Sequence, residues 1–214
     1  MDVRVLAAGD SAWLIELPER IDPEVNSRAI RIASAVKKSV LPVSDVVVGY
    51  RSVMVYVDPL AEDGHLMEQR LRDLAVNTPD DESVAGELVD VPVCYDGPYG
   101  PDLPDVAAFG QCDVEEVIGR HLALEYRVFV VGFVPGFAYL AEVDPRIGAP
   151  RRPSPRTQVP AGSVAIAGGQ TGIYPSATPG GWNIIGRTRV LPFDPARADP
   201  FMFKPGDSVR FTPV

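Results

Sequence analysis

Glycine and proline make up 24 of the last 89 residues of this chain, from residue 126 to residue 214. So high a density fits a disordered segment, but the aliphatic and aromatic residues between the breaks argue against disorder. Four strand-like apolar pieces remain between the turns, and they read YRVFVVGFV, GSVAIAG, NIIGRTRVL and DSVRFTPV. Short strands separated by frequent turns predict a β-barrel or a β-sandwich in this part of the chain.

The first 80 residues follow a different pattern, in which pairs of strands alternate with helices. RVLAAGDSAWLIEL (4–17) predicts two strands around a turn, and the valine-rich stretch 45–58 predicts two more. Asp22 and Pro23 have the residue types of a helix cap and a first helical position, and apolar residues then recur every three or four positions. A second amphipathic helix is predicted at 66–76. We therefore expect helices that cover one face of an antiparallel sheet.

A polar and acidic segment, NTPDDESVAG (77–86), has the composition of a linker. It divides the chain into a small N-terminal α+β domain at 1–84 and a second domain at 85–214. The second domain is predicted to begin with a strand near 86–96 and to continue with two short helices at 104–110 and 113–122. The fold class is thus α+β, with the strand-rich barrel or sandwich at the C-terminal end.

Charge and composition exclude several classes of function. The net charge is −9, and this acidity argues against nucleic acid as the main partner. No apolar run approaches the roughly 20 residues of a membrane helix, and the first residues do not resemble a signal peptide. With only two cysteines, we expect a cytoplasmic protein without a membrane segment. Residues 126–214 nevertheless carry 10 basic and 5 acidic residues, which suits an anionic ligand.

No complete catalytic motif is visible in the chain. It lacks a GxxxxGK[ST] phosphate loop, a GxGxxG turn between strand and helix, and a GxSxG nucleophile elbow. Two histidines and two widely spaced cysteines do not form the pattern of a zinc site, so we expect no metal. One of the histidines, His121, ends a predicted helix, where it either complements the helix dipole or belongs to the functional site.

The segment GGQTGIYPSATPGGWNIIGRT (168–188) combines six glycines and two prolines with hydrogen-bonding and aromatic side chains. A linker would explain the glycines and prolines but not the tryptophan, the tyrosine and the two isoleucines. A binding site explains both, because glycine lets the backbone approach a ligand and proline limits the entropy lost on binding. The segment also lies in the positively charged third of the chain.

A resemblance to a known family rests on three segments of the second domain, at 126–140, 150–188 and 204–211. They contain YRVFVVGFVPGFAYL, VPAGSVAIAGGQTGIYPSATPGGWNIIGRT and KPGDSVRF. These segments closely resemble the 5-oxoprolinase B-subunit family, also known as the Kip inhibitor or allophanate hydrolase subunit 1 family. GDSAWLIEL, IDPEVN and VVVGYRSVMVYVDP resemble its N-terminal region, so the similarity extends over essentially the whole chain. The two departures, Thr178 and the AEVDPRI segment, remove no functional group.

The resemblance implies a cyclophilin-like β-barrel after a small α/β domain. It also implies a second, larger partner of related architecture (the C-subunit, similar to allophanate hydrolase subunit 2) and a separate ATPase-type A-subunit. The implied activity is ATP-dependent opening of 5-oxoproline to L-glutamate, with ATP used by the complex and this chain inactive alone. Two alternatives stay open, namely inhibition of a histidine kinase by binding it, and amide or carboxyl transfer on urea-derived substrates.

5-Oxoproline offers a cyclic amide, a carboxylate and an apolar ring edge, and the candidate residues have side chains that match each feature. They are Arg156 and Arg187 for the carboxylate, Gln170, Thr171 and Tyr174 for the amide, Tyr174 and Trp182 as flat walls, and His121 for proton transfer. Pro135 to Phe137 and Tyr139 are further candidates for the same groove. In the structural alternative, the two aromatics belong to the core, the glycines form barrel corners and the arginines pair with acids.

Overall fold

A computed structural model describes residues 3–20, 22–79 and 86–214, and the chain divides into two compact units, Met1–Ala85 and Gly86–Val214. The predicted linker at 77–86 lies mostly outside the described residues. Ile21 of the IDPEVN segment lies outside them as well.

The N-terminal unit is a four-stranded antiparallel sheet with two helices. Its strands are ordered β1-β2-β4-β3. The elements are β1 (Arg4–Ala7), β2 (Ala12–Glu16), α1 (Pro23–Lys38), β3 (Val43–Val48), β4 (Ser52–Val57) and α2 (Gly64–Asn77). Helix α1 packs on β3 and β4, and α2 packs on β1 and β2. The predicted layer of helices on one face of an antiparallel sheet is therefore confirmed.

Helix α1 begins where the sequence predicts it, because Asp22 caps it. The Asp22 carboxylate oxygen Oδ1 accepts hydrogen bonds from the backbone N–H groups of Glu24 and Val25, at 2.8 and 3.2 Å. The apolar stripe that follows is fully buried at Val25 and Val36, among other positions. The stripe packs against alternate residues of strand β4. Residues three or four apart on the helix and two apart on the strand therefore form one core.

The second unit is built on a seven-stranded sheet of order β12-β9-β10-β7-β6-β13-β5, with a separate β8-β11 pair. The elements are β5 (Leu88–Val93), a 3₁₀ turn (Gly97–Tyr99), α3 (Leu103–Gly110), α4 (Val114–Leu122), β6 (Glu125–Val131), β7 (Ala138–Ala141), β8 (Arg156–Val159), β9 (Ser163–Ala167), β10 (Gln170–Ile173), β11 (Thr178–Gly180), β12 (Asn183–Arg187) and β13 (Ser208–Pro213). The first and last strands of the sheet meet where Cys94 and Arg187 exchange two backbone hydrogen bonds of 2.8 Å. This contact nearly closes the sheet, and it confirms the barrel rather than the sandwich.

The two faces of this sheet carry two separate clusters of apolar side chains. Val164 and Ile166 of β9 point into the barrel, whereas Ala165 between them belongs to a cluster on the other face. We call that second group the outer aromatic cluster. It consists of Phe137, Val159, Ala165, Ala167, Tyr174, Trp182 and Ile184. Because side chains alternate along a strand, neighbouring residues of the glycine-rich segment are sent to opposite faces of the sheet.

Four strands were not predicted, and two of them lie in the glycine-rich segment. β10 and β11 show that this segment forms sheet edges and hairpins rather than loops around a ligand. Of its glycines that were expected to adopt positive φ, only Gly168 does so. The backbone position that demands glycine lies just before the segment. At Gly162, φ is +78° and a Cβ atom would lie 2.2 Å from the carbonyl oxygen of Thr188.

Helix α4 begins with half of a capping box, the motif in which an N-cap residue and the residue three positions later bond each other's backbone. Asp113 accepts a 2.7 Å hydrogen bond from the backbone N–H of Glu116. The Glu116 carboxylate does not return to Asp113. It accepts hydrogen bonds from Arg120 and Arg146 instead, because two guanidinium groups compete successfully for one carboxylate.

Candidate functional site

The structure distributes the seven predicted site residues over three places. His121 and Thr171 lie inside the barrel. The other face of the same sheet carries Gln170, Tyr174 and Trp182, with Arg156 at its border. Arg187 lies at the seam between β12 and β5, where it lines a different cleft. The expectation that all seven line one hollow is therefore wrong, because strand alternation separates residues that are adjacent in sequence.

His121 is a fully buried member of the barrel interior. Its Nε2 lies 3.0 Å from Thr171 Oγ1, and Thr171 in turn donates its hydroxyl proton to the Ala165 carbonyl. Its Nδ1 lies 2.8 Å from the Tyr95 hydroxyl. This pattern assigns a neutral imidazole that donates from Nε2 and accepts at Nδ1. Both nitrogens are bonded, the ring is stacked on Phe211 at 4.5 Å, and His121 has no exposed surface.

Burial lowers the pKa of His121 to about 3, since the charged form would lose its hydration. Neither role expected for His121 fits this position. A neutral ring does not complement the helix dipole, and a buried ring does not reach a substrate. Thr171 is equally inaccessible, with a side chain that is 0 % exposed, and its hydroxyl serves the histidine and the backbone. Both residues are corrected from site candidates to parts of the core.

We expect His121 to make the free energy of unfolding depend on pH. The unfolded chain protonates this histidine near pH 6.5, whereas the folded protein resists protonation down to about pH 3. The unfolded state therefore binds more protons in this window, and stability falls by up to about 1.4 kcal/mol per pH unit as pH falls. Urea unfolding of wild type and His121→Gln between pH 7 and 4.5 measures the difference.

The free energy of unfolding should depend less steeply on pH in His121→Gln than in the wild type. His65→Gln, which alters the other, exposed histidine, is the control and should keep the wild-type dependence. Equal slopes in wild type and His121→Gln would contradict the assignment of a buried neutral ring.

Arg156 is held by a buried acid. Asp102 is only 2 % exposed, and its Oδ1 accepts hydrogen bonds from Arg152 and Arg156 at 2.6 and 2.7 Å. Its other oxygen accepts from the backbone N–H of Ile184 at 2.7 Å. This three-way contact joins the 150–156 segment to the start of α3 and to β12. This ion pair is the one that the structural alternative describes for Arg156, while a role of Arg156 in binding a substrate stays a prediction.

The outer aromatic cluster places Tyr174 and Trp182 against Phe137. The centroid of the Phe137 ring lies 5.3 Å from that of Tyr174 and 5.4 Å from that of Trp182, both edge to face. Tyr139 joins the same group at 4.9 Å from Phe137 and is only partly buried. Tyr174 and Trp182 are each less than 5 % exposed, so they form the floor of this face rather than its contact surface.

Glycines of the motif allow this aromatic floor to pack. A Cβ atom at Gly180 would lie 2.3 Å from the Tyr174 hydroxyl oxygen, and one at Gly172 would lie 3.0 Å from the Phe137 ring. The two glycines were expected to admit a ligand to the backbone. The space beside them is occupied by the rings of Tyr174 and Phe137, so a side chain at either glycine would clash with a ring.

Arg151 is the basic group beside this aromatic floor, and the sequence analysis did not select it. Its side chain is exposed and has no ion pair with any described residue. Burial raises the pKa of both Tyr139 and Tyr174, and the positive charge of Arg151 partly opposes the rise at each. Arg151 therefore lies within electrostatic range of both phenols. We call the group formed by Phe137, Tyr139, Arg151, Gln170, Tyr174 and Trp182 the candidate face.

Two contacts fix the backbone next to Arg151. The backbone N–H of Arg152 donates to the Gly181 carbonyl at 2.7 Å, and the Arg152 side chain is bound by Asp102. Gln170 reaches the same face from β10, where it pairs with Ala141 and so stands diagonally across from Tyr139 of β7. The candidate face thus combines one guanidinium, one amide and two phenols over an apolar floor.

Sequence reasoning missed Arg151 because PRRPSPR contains three arginines and no local signal separates them. The acid that occupies Arg152 and Arg156 is about 50 residues upstream, at Asp102. Arg189, which lines the cleft together with Arg187, was missed for the same reason. Tyr139 was anticipated from its position after the VPGF turn.

The described part of the chain has neither a membrane-spanning helix nor a cluster of metal ligands. None of its helices has the length and apolar character needed to cross a bilayer. Within the same residues, no group of three or more His, Cys, Asp or Glu side chains is placed to hold a metal ion.

The class of the protein follows from its similarity to known proteins. The carboxyltransferase domain, subdomain C and D, matches residues 3–203. The solved structure of TTHA0988 is 39% identical to this chain, with a TM-score of 0.84. The match covers 95% of this chain and 40% of the TTHA0988 chain. PH0987 from Pyrococcus horikoshii is 41% identical, with a TM-score of 0.58 and coverages of 99% and 97%. The urea carboxylase of Kluyveromyces lactis, at 21% identity and TM-score 0.80, covers 99% of this chain and 22% of its own and shares the fold.

Three curated relatives narrow this class. The 5-oxoprolinase B-subunit of Bacillus subtilis is 38% identical, over 96% of this chain and 90% of the relative. The proteins of the same name in Haemophilus influenzae and Escherichia coli O157:H7 are 41% and 51% identical, over 78% and 59% of this chain and 78% and 58% of their own. The chain belongs to the 5-oxoprolinase B-subunit family, also called the allophanate hydrolase subunit 1 family, as its motifs predict. It spans 40% of the longer TTHA0988 chain.

Proposed function

We propose that this chain is one component of an ATP-dependent 5-oxoprolinase and contributes half of the site at which 5-oxoproline is opened to L-glutamate. The observation that carries the proposal is the exposed and unpaired Arg151, whose neighbour Arg152 bonds the Gly181 carbonyl next to Trp182 and whose charge acts on Tyr139 and Tyr174. An exposed arginine over a rigid aromatic floor suits a small anion with an apolar ring. The names of the three curated relatives support the choice of 5-oxoproline as that anion.

Each feature of 5-oxoproline has a counterpart on the candidate face. The substrate carboxylate would take two parallel hydrogen bonds from Arg151, since a guanidinium matches a carboxylate in geometry and charge. Gln170 carries both a donor and an acceptor, which is what the N–H and C=O of a cyclic amide require. The ring edge of the substrate would lie on Tyr139 and on the aromatic floor below it.

The candidate face holds a substrate but does not complete a reaction. Its six residues include no carboxylate and no imidazole, so none of them is suited to activate a water molecule near neutral pH. We therefore assign the remaining groups to a second, larger subunit that covers the face. ATP would be used by a separate ATPase-type subunit, where it drives the opening of the amide. The role of this chain is to bind and orient the substrate against the second subunit.

An exposed apolar patch next to the candidate face fits the docking of that second subunit. Phe133 is 62 % exposed, adopts a positive φ of 69°, and lines a hollow with Pro135 and Phe201. A partner that covers Phe133 would bury its exposed ring, and the strained backbone that presents this ring to solvent fits a functional position. The Phe133 ring also lies 5.7 Å from that of Phe137, so a partner seated here would border the candidate face. The match covers only 40% of the TTHA0988 chain, so that protein has further residues beyond the part that resembles this chain.

Removing the Phe133 ring should weaken the association with the second subunit, with Kd rising by about 10- to 100-fold. Phe133→Asn is the suitable change, because asparagine tolerates positive φ and the fold is preserved. Calorimetric titration with the purified second subunit measures the effect. Phe109→Ser, which alters another exposed phenylalanine of this unit, is the matched control and should leave the affinity unchanged. Equal affinities of Phe133→Asn and the wild type would exclude this surface as the interface.

Reconstitution tests the proposed function itself. The chain is mixed with its larger partner and with the ATPase-type subunit, and glutamate formation from 5-oxoproline and ATP is followed. Turnover should require all three polypeptides, and leaving out this chain should abolish it. Absence of turnover in the full mixture, together with inhibition of histidine-kinase autophosphorylation by this chain, would replace the enzyme proposal by the kinase-binding alternative.

A further inference from the structure

A second opening of the barrel unit lies away from the candidate face, at the seam where β12 meets the end of β5. It is a cleft of about 670 Å³, within the range of small-molecule sites. Its lining residues are Pro92, Cys94, Tyr99, Arg187, Thr188, Arg189 and Val214. None of them belongs to the candidate face, and none of them has an acidic side chain.

Two arginines of this cleft differ from most others in the unit. Six arginines of residues 86–214 form ion pairs with carboxylates, namely Arg120, Arg146, Arg152, Arg156, Arg197 and Arg210. Arg187 and Arg189 are exposed, and no carboxylate of the described residues lies within ion-pair distance of either. Two unpaired positive charges at one cleft repel each other, and binding an anion would relieve that repulsion.

The backbone holds both guanidinium groups on the same side of the chain. Thr188 between them is buried, whereas Arg187 at the end of β12 and Arg189 just beyond it are both exposed and both line the cleft. Arg187 is fixed by two backbone hydrogen bonds of 2.8 Å to Cys94, and the Thr188 N–H donates to the Gly162 carbonyl at 2.8 Å. The site is therefore formed in advance, and binding would order side chains but not the backbone.

We propose that this cleft binds a small dianion, with two negative oxygen groups or one phosphate held between Arg187 and Arg189. Two guanidinium groups match two negative charges, and Pro92 with the Tyr99 ring gives an apolar wall for the rest of the ligand. A ligand with an ammonium group is disfavoured, since two guanidinium groups repel it and no acidic side chain of the lining would receive it. The cleft thus selects dianions without an amine, which distinguishes it from a site for the amino acid glutamate.

Binding of defined probes to the isolated chain tests this proposal, and it needs neither the second subunit nor turnover. The probes are inorganic phosphate, pyrophosphate and 2-oxoglutarate, with glutamate as the amine-bearing control, and the method is calorimetry at low ionic strength. At least one dianion should bind about 10-fold more tightly than glutamate. Arg187→Gln and Arg189→Gln should each weaken it about 10-fold, and the double variant about 100-fold. Arg210→Gln changes an arginine paired with Asp90 at 2.7 Å and should leave binding unchanged.

Cys94 provides a reporter of position, because its thiol lines the cleft. In a Cys112→Ser background it is the remaining cysteine, and a bound dianion should slow its alkylation at least about 5-fold at saturation. The arginine variants should lose this protection. The phosphate and 2-oxoglutarate arms then distinguish a phosphate ligand from a dicarboxylate.

Three results would overturn the proposal. They are the absence of dianion binding up to about 10 mM, equal binding by the double arginine variant, and binding that leaves the Cys94 alkylation rate unchanged. If no dianion binds and the double variant fails to associate with the second subunit, the arginines serve a protein carboxylate instead. Failure of the reconstituted turnover with intact dianion binding would reject the proposed function and leave this inference standing.

Discussion

Arg151→Ala should lower kcat/KM for 5-oxoproline by about 100-fold in the reconstituted complex, while the chain still folds and still associates with its partner. The expected size follows from the loss of two charge-assisted hydrogen bonds to the substrate carboxylate, which together contribute about 2–3 kcal/mol. The carboxylate lies outside the amide bond that reacts. Most of the loss should therefore appear as a higher KM rather than a lower kcat.

Arg151→Lys separates charge from geometry. Lysine keeps the positive charge but not the planar fork, so it should recover only part of the lost kcat/KM. Arg210→Ala is the matched control, because Arg210 is an exposed arginine of the same unit whose partner is Asp90. A kcat/KM for Arg151→Ala within 2-fold of the wild type would remove Arg151 from the substrate site. The dependence of turnover on this chain would then need another explanation.

The sequence predicts elements wherever a local pattern determines them. The Asp22 cap, the apolar stripe of α1 and the valine-rich strands β3 and β4 each depend on neighbours within a few residues, and all were found. Strands β10 and β11 were not predicted, since each has only three or four residues and each contains glycine or proline. Their pairing with distant strands, rather than their own propensity, makes them strands.

The candidate site was harder to predict than the fold, for a related reason. The motif's composition correctly signals a dense group of aromatic and polar side chains, but alternation sends Thr171 into the barrel and Tyr174 to the outer cluster. Which arginine remains unpaired depends on Asp102, about 50 residues away in sequence. A single sequence contains no record of that contact, so Arg156 was chosen where Arg151 is exposed.

Asp102 should be a sensitive position of the second unit for stability. Asp102→Asn keeps the shape of the side chain but removes the charge that offsets the two partly buried guanidinium groups of Arg152 and Arg156. Breaking such a contact leaves uncompensated charge, and we expect the free energy of unfolding to fall by about 3 kcal/mol. For a unit of this size that corresponds to a loss of about 10 °C in Tm, which thermal unfolding by circular dichroism measures.

Asp105→Asn is the control for Asp102→Asn, because Asp105 also faces Arg152, at 3.4 Å, but its side chain is 72% exposed. Removing the Asp105 charge should lower the free energy of unfolding by less than about 0.5 kcal/mol. A Tm within 2 °C of the wild type for Asp102→Asn would refute the claim that this acid holds the segment in place. Asp102→Asn should also raise KM for 5-oxoproline, since Arg152 anchors the backbone beside Arg151. The stability of the second unit and the position of Arg151, which we propose binds the substrate, thus both depend on the contact between Asp102 and Arg152.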